Sequence, residues 1–241
     1  SDNSTTIAIV GRPNVGKSSL LNKLLGQDRV IVSSLSGTTR DAIDTQLKYH
    51  QSTITLIDTA GIRRRGKITP GVEKYSVIRA LKAIDRAEIV FLLIDATEPF
   101  TAQDAHIAGM ILTKSRSAIV IVNKWDKITK NNHTMQEYIN LVRSKLQFLE
   151  YVPILFISAL TGQKVNQILP LALQIHSQRH LRISTAKLNR LVSSAVRQHS
   201  PPSKNGKRLR IFYASQVDTA PPTILLHIND KNLVHFSYTR Y

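Results

Sequence analysis

No cysteine occurs in the 241-residue chain, which removes disulfides, thiolate metal sites and cysteine nucleophiles from consideration and fits a reducing compartment. Acidic residues are scarce as well: 16 Asp and Glu stand against 33 Lys and Arg, a formal net charge of +17. Such an imbalance favours a polyanionic partner, without separating RNA from DNA or either from an acidic protein surface. The shortage is uneven, since residues 181–241 hold 10 Lys and Arg against 2 Asp and Glu, whereas residues 1–180 hold 23 against 14. No apolar run is long enough to cross a bilayer as a helix, and Ser1-Asp2-Asn3-Ser4 lacks the charged-then-apolar build of a secretion signal. An intracellular chain is the expectation. Internal repeats and low-complexity segments are missing too. What is present, 42% hydrophobic and 20% charged residues, suffices for one medium-sized core plus a smaller module.

The stretch Gly11-Arg12-Pro13-Asn14-Val15-Gly16-Lys17-Ser18 fits the phosphate-binding pattern G-x-x-x-x-G-K-[ST] without a gap. An apolar run, Ile7-Ala8-Ile9-Val10, leads into it, and Ser19-Leu20-Leu21-Asn22-Lys23-Leu24-Leu25 follows with helical spacing. Glycines let successive backbone N–H groups turn inward around a polyphosphate, and the helix aims its positive end at it. Lys17 then reaches the β- and γ-phosphates while Ser18 binds Mg²⁺.

Downstream, strand-like and helix-like stretches alternate. Ala42–Tyr49 and Thr53–Ile57 read as adjacent strands, Glu73–Ile84 as a helix and Ile89–Ile94 as a buried strand. Helix Thr101–Leu112, strand Ala118–Val122, helix Met135–Leu149, strand Ile154–Ile157 and helix Val165–His176 continue the pattern. Such alternation predicts an α/β fold, a mostly parallel sheet with helices on both faces and ligands at the carboxyl ends of its strands.

Two further motifs fall at such ends. Asp58-Thr59-Ala60-Gly61 closes the strand ending at Ile57, so that Asp58 holds Mg²⁺ through water and the Gly61 backbone approaches a γ-phosphate. The tetrapeptide is common by itself, but here it stands forty-one residues after Lys17. Asn123-Lys124-Trp125-Asp126 follows another strand, and a buried Asp126 carboxylate accepts two hydrogen bonds from the N1–H and 2-amino group of guanine. Adenine offers no such pair, and the site rejects a base that leaves its polar groups unpaired. Ser158-Ala159-Leu160, after the next strand, supplies a backbone N–H to the guanine carbonyl.

In this order the motifs resemble a translation-factor-class GTPase domain over about residues 5–177. Ser36-Gly37-Thr38-Thr39-Arg40-Asp41 resembles the first switch of the Era-like subgroup, which implies that Thr39 binds Mg²⁺ in the GTP state. Asp58–Gly61 with Ile62-Arg63-Arg64-Arg65-Gly66-Lys67, then Val72–Ser76 and Ala83–Ala87, is similar to the second GTPase domain of the Der (EngA) family of double-GTPase ribosome-assembly proteins. That likeness implies a linker remnant at 1–6, an Era-like GTPase domain at 7–177 and a KH-like module at 178–241 that is incomplete at its C-terminal end. Within the module it implies a helix over Ser184–Gln198, a polar loop Ser200–Lys207 and strands Leu209–Gln216 and Pro222–Ile228. It further implies GTP or GDP and magnesium as ligands, and a cytoplasmic, ribosome-associated protein. The implied partners are the large ribosomal subunit with its RNA and a first GTPase domain of the same family, with no DNA and no membrane span.

Residues 178–241 contain a single glycine, Gly206, so they lack the Gly-x-x-Gly clamp of a true KH module. Lys204, Lys207, Arg208 and Arg210 either bind RNA phosphates or form a solvated face. Phe212, Tyr213, Phe236 and Tyr238 read as core and strand residues. In the GTPase part, Ile62 occupies the place where many GTPases carry a water-orienting glutamine. Asn14 resembles the asparagine of potassium-stimulated members, in which that side chain and main-chain oxygens of the first switch, here of Ser33 and Leu35, hold a monovalent cation. The bland reading is that Asn14 braces the loop. Three functions follow: a slow GTPase switch in assembly of the large subunit, a nucleotide-holding module that orients the KH-like part with little turnover, and a potassium-stimulated tRNA-modification GTPase.

Overall fold

The computed structural model describes residues 4–34, 43–63, 72–98, 100–146, 151–235 and 238–239. Two compact units emerge, Ser1–His176 and Ser177–Tyr241. Expectations resting on Leu35, Thr38, Thr39, Arg64, Arg65 and Phe236 lie outside the described residues.

In the first unit, strands β1 (Ser4–Val10), β2 (Val30–Ser34), β3 (Thr45–Tyr49), β4 (Ser52–Ile57), β5 (Ile89–Asp95), β6 (Ser117–Asn123) and β7 (Ile154–Phe156) form one sheet in the order β2-β3-β4-β1-β5-β6-β7. The pairs β4-β1, β1-β5, β5-β6 and β6-β7 are parallel, and β2-β3 and β3-β4 are antiparallel. The sheet is therefore mainly parallel, as the alternation predicts.

Residue alternation along the strands divides the interior in two. Ile7 and Ile9 of β1, Phe91 and Leu93 of β5, and Ile119 and Ile121 of β6 face one core. It is closed by Leu20, Leu21 and Leu24 of α1 (Lys17–Leu25) and by Ile168, Leu169 and Ala172 of the helix Ile168–Arg179. Ala8 and Val10, Val90, Leu92 and Ile94, and Val120 and Val122 face the other. There they meet Ala83 and Ile84 of the helix Val72–Arg86, Ile107 and Ile111 of the helix Ala102–Thr113, and Val142 of the helix Thr134–Lys145. Each large side chain so buried contributes about 1.5–3 kcal/mol, and burial of both faces explains why β5 and β6 read as unbroken apolar runs. With the short α2 (Thr59–Arg63) counted, these last helices are α3 (Val72–Arg86), α4 (Ala102–Thr113), α5 (Thr134–Lys145) and α6 (Ile168–Arg179).

The boundaries differ from expectation in informative places. β2 is an edge strand with Ile31 71% exposed, so it has no buried alternation to announce it. The helix expected from Val165 begins as a 3-10 turn over Val165–Gln167 before α6. Ala42 and Glu150-side residues 147–150 fall outside the described segments.

The second unit contains α7 (Thr185–Gln198) and the antiparallel pair β10 (Ile211–Asp218) and β11 (Thr223–Ile228). Asn189 on α7 donates to and accepts from the backbone of Ala214 at 2.8 Å each, supplying two hydrogen bonds to β10. The expected polar loop contains a hairpin, β8 (Ser203–Lys204) against β9 (Lys207–Arg208). Asn205 and Gly206 at its tip have φ of +51° and +73°, the left-handed pair a two-residue hairpin turn requires. Phe212 and Tyr213 lie on a strand as expected but are 67% and 46% exposed, which corrects their reading as core residues: among the described residues α7 bonds β10 at Ala214, which is buried, and leaves these two side chains open. Among the described residues no helix is long and apolar enough to cross a membrane.

Candidate nucleotide site

β1 delivers the chain to Gly11, beside the carboxyl end of β5. Gly11 has φ +155°, and a Cβ there would lie 2.7 Å from the Leu93 carbonyl oxygen, so the residue type is fixed by space as well as by backbone. Asn14 turns the loop at φ +66° and Gly16 ends it at φ +104°, as the N-cap of α1. Gly16 offers no capping side chain and the first turn of α1 has no acidic residue, which leaves helix N–H groups and the positive dipole end suited to an anion. Val15 is buried, Arg12, Pro13, Gly16 and Lys17 are half-buried, and Asn14, Ser18 and Ser19 are exposed. The Lys17 ammonium donates to the carbonyls of Gly11 (2.8 Å) and Arg12 (2.6 Å).

Arg12 leans the other way. Its guanidinium donates to Asp104 and to Glu98, each at 3.0 Å. Asp104 is fully buried and also accepts from the Thr101 backbone at 2.9 Å, half of a capping box at the start of α4. The loop is thus anchored to a helix end.

At the base end, β6 ends at Asn123, which is 2% exposed. Its amide donates to the Val15 carbonyl at 2.9 Å and its carbonyl oxygen accepts from Ala159 N–H at 2.9 Å. A Cβ on Gly16 would overlap that amide. Asn123 therefore joins the phosphate loop to Ser158-Ala159-Leu160, where Ser158 is buried and Leu160 is 71% exposed. Lys124, at φ +62°, donates to the Asn14 carbonyl at 2.9 Å and pairs with Asp95. Burial pushes the Asp95 carboxyl up, but hydrogen bonds from Lys124 and Thr97 and the Lys124 charge outweigh it and hold the group below its ordinary value. Trp125 is buried against Phe156 and Tyr138, with ring centroids 4.5 and 5.2 Å away. That packing fixes the 3-10 turn Trp125–Lys127. Asp126 in this turn is exposed, which corrects the expectation of a buried carboxylate: the turn presents the side chain at the protein surface, where a base would have to cover it.

At the metal end, β4 ends at Ile57 and Asp58 turns out of it at φ +52°. Arg79 of α3 forks its carboxylate, Nε to Oδ2 at 2.6 Å and Nη2 to Oδ1 at 2.9 Å. Asp58 N–H donates to Asp44 at 2.8 Å, and Asp44 is in turn paired with Arg86. Thr59 is buried and shares a 2.7 Å hydroxyl contact with Thr45. Ala60 N–H donates to the Ile43 carbonyl, Gly61 lies under Arg79, and Ile62 is 8% exposed. Ser18 Oγ donates to the Ile62 carbonyl at 2.8 Å. Gly11, Lys17, Asp58, Gly61, Ile62 and Arg79 line one small cleft. The Ser18 hydroxyl and Asp58 carboxylate are hard oxygen donors of the kind Mg²⁺ takes. Ser33 lies exposed on β2, with its hydroxyl near Gln46.

Sequence reasoning missed Asp95, Asp104 and Arg79. Asp95 had a signal, since it closes the strand Ile89–Ile94 as Asp58 closes its own. Asp104 had another in Thr101-x-x-Asp104, a capping pattern. Arg79 had none, because a basic residue on a helix reads as a solvated face.

Residues 6–124 match the model of a family described as 50S ribosome-binding GTPase. Residues 182–241 match that of the KH-domain-like C-terminal part of EngA bacterial GTPase enzymes. GTPase Der of Chloroflexus aggregans is 55% identical over 236 residues, covering 98% of this chain and 53% of that protein. GTPase Der of Alkaliphilus oremlandii is 49% identical over 240 residues, covering 100% and 54%. The chain spans about half the length of these curated relatives. Among solved structures, a variant of Aquifex aeolicus Era bound to GDP·AlF4⁻ is 30% identical with a TM-score of 0.53, covering 71% of this chain and 56% of that one. Era in complex with MgGDPNP and a segment of 16S ribosomal RNA is 29% identical with a TM-score of 0.52, over the same shares.

Proposed function

The chain belongs to the Der (EngA) family of GTPases, and from that premise we propose that its first unit binds GTP and GDP with Mg²⁺, hydrolyses GTP slowly, and serves assembly of the large ribosomal subunit. The observation that carries the nucleotide reading is Asn123, whose buried amide ties Val15 of the phosphate loop to Ala159 of the base loop. A polyphosphate and a purine held together need that joint.

In this reading the main chain of residues 11–19 cradles the phosphates. Lys17 exchanges the carbonyls of Gly11 and Arg12 for phosphate oxygens, a charge-assisted contact in place of two neutral ones. Ser18, Thr39 and, through water, Asp58 hold Mg²⁺, which when bound neutralises charge on the β- and γ-phosphates. The Gly61 N–H, which here donates to the Asp58 carbonyl at 3.1 Å, would exchange it for the γ-phosphate, and Thr59, Ala60 and Ile62 shape the turn around it. Asp126 reads guanine, Lys124 and Trp125 support its ring, and Ser158, Ala159 and Leu160 close over the base. Ile62 has no polar atom with which to align a water. By the resemblance to potassium-stimulated members, Asn14 with main-chain oxygens of Ser33 and Leu35 would hold a potassium ion, which would supply the positive charge that hydrolysis calls for. The domain boundary near residue 177, the role as second GTPase domain, and a cytoplasmic, ribosome-associated location belong to the same proposal. The basic second unit is assigned to ribosomal RNA or protein.

Calorimetric titration with GDP, ATP and xanthosine diphosphate tests the nucleotide reading. GDP binds and ATP does not, and Asp126→Asn weakens GDP while strengthening the xanthine nucleotide, because each charge-assisted bond is worth about 1.5–3 kcal/mol. An unaltered base preference in that variant overturns the assignment of Asp126.

A further inference from the structure

The groups that a magnesium-bound triphosphate requires are already engaged within the protein, and not equally. Lys17 rests on two carbonyls and Ser18 on one. Asp58 is held by an opposite charge, in a two-armed contact that uses both carboxylate oxygens. Its side chain is 15% exposed, that of Arg79 36%, so the fork is partly sheltered from water. The guanidinium lies against Gly61 so closely that a Cβ on that residue would overlap it.

The helix that provides Arg79 holds the same strand end a second time. Arg86 follows seven residues later, nearly two full turns, and so projects from about the same side of α3. It pairs with Asp44, whose Oδ1 also accepts the Asp58 N–H at 2.8 Å. α3 thus grips Asp58 directly at its carboxylate and indirectly at its backbone.

We propose that Arg79 is a positioning residue that competes with Mg²⁺ for Asp58, so that α3 sets the affinity of the site for the metal. The inference rests on the reading of Asp58 as a group that holds Mg²⁺ through water. A metal-bound water must donate to a carboxylate oxygen, and although each oxygen keeps a second lone pair for it, both already accept from the guanidinium, so the water and Arg79 draw on the same acceptors. The guanidinium and a dication would also face each other across one carboxylate, a like-charge arrangement that each destabilises for the other. Release of Arg79 ends the direct contact of α3 with the Asp58 carboxylate, while Arg86 stays with Asp44 and Ala83 and Ile84 stay packed in the core. Metal loading and the placement of the Arg79 side chain are then two readings of one equilibrium.

The test is GDP binding to the full chain over a series of free Mg²⁺ concentrations at constant ionic strength, read as the Mg²⁺ concentration at half effect. Arg79→Ala lowers that midpoint about three- to tenfold, the size of a lost charge-assisted pair after solvent screening. Arg79→Lys, which keeps the charge and loses the fork, lowers it less; it also keeps the test alive if the alanine variant unfolds on thermal denaturation. In an Asp58→Asn background, Arg79→Ala shifts the midpoint by less than about twofold, because the shared partner is gone. A midpoint unchanged or raised by Arg79→Ala overturns the proposal, as does an equal shift in the Asp58→Asn background, which would mean simple repulsion through space. Wild-type chain that binds no GDP at any Mg²⁺ concentration overturns the nucleotide reading itself, and this inference with it.

Discussion

The base end and the metal end of the site are held by different physics. At the base end the phosphate and base loops are joined by a neutral amide, Asn123, 2% exposed and bonded on both sides to backbone, beside the largely buried pair of Asp95 and Lys124. At the metal end the contacts are made by charged, partly exposed groups, two of which a ligand would claim: Asp58 with Arg79 and Lys17 with loop carbonyls. A buried neutral network has no better partner available and stays as it is. Charged groups near the surface exchange one partner for another at small net cost. This fold keeps a permanent frame for recognition and a convertible set of contacts for the nucleotide's changing part.

The largest effect comes from breaking the frame. Asn123→Ala leaves Val15 C=O and Ala159 N–H unpaired in a buried place, at about 1–3 kcal/mol for each. Urea unfolding records the loss of stability, and calorimetry a fall in GDP affinity beyond about tenfold. A variant as stable as wild type and binding GDP equally well would dissolve the contrast.

Next in size is a change at the exchangeable end. With GTP saturating and ionic strength matched, so that screening of a chain of charge +17 is constant, hydrolysis runs about three- to tenfold faster in potassium than in sodium salts, as expected for added charge stabilisation in the transition state. Asn14→Ala removes the ratio without a comparable loss of GTP affinity. Equal rates in the two salts return Asn14 to the role of a loop brace.

The smallest effect separates an ion pair that belongs to the frame from those that do not. Asp95 is 1% exposed and bonded to Lys124, which itself supports the Asn14 carbonyl. Its carboxyl is held below the ordinary 3.8 by the Lys124 and Thr97 bonds, against burial. A carboxyl lowered in the folded state contributes stability that is full above the unfolded value and vanishes as pH falls through the folded one. Asp95→Asn is therefore less stable than wild type by about 1 kcal/mol at neutral pH, and the gap closes only below pH 3.8. Denaturation curves at several pH values check this, and a gap that closes already near neutrality would assign the effect to another group.

Much of the frame was legible in the chain because its rules are local. Gly11 and Gly16 occupy backbone conformations and spaces that admit little else, and β5 and β6 are apolar on both faces because both faces are covered. β2 was not legible, since Val30–Ser34 lies at the sheet edge with Ile31 and Val32 exposed. The hairpin at Asn205-Gly206 has a local signal, since Asn-Gly suits the left-handed pair its turn requires, but two-residue strands on either side show no alternation that separates them from a polar loop. Arg79 was illegible for a deeper reason: its partner lies 21 positions away in the chain, and an ion pair between distant segments leaves no periodicity behind. The exposed position of Asp126 was hidden likewise, because a motif names a side chain and does not say what will lie over it.

Asn123 also has a temporal meaning. Its amide closes a contact 108 positions back along the chain and another 36 positions forward. The first needs β1 and β6 in one sheet and the second needs β6 and the segment after β7, and distant contacts are the late, slow ones in assembly because chain entropy must be surrendered before they reward it. The phosphate loop acquires its full bracing only then. A nucleotide able to bind this loop thus recognises the finished sheet and none of its partly assembled forms, and in binding it selects for completion.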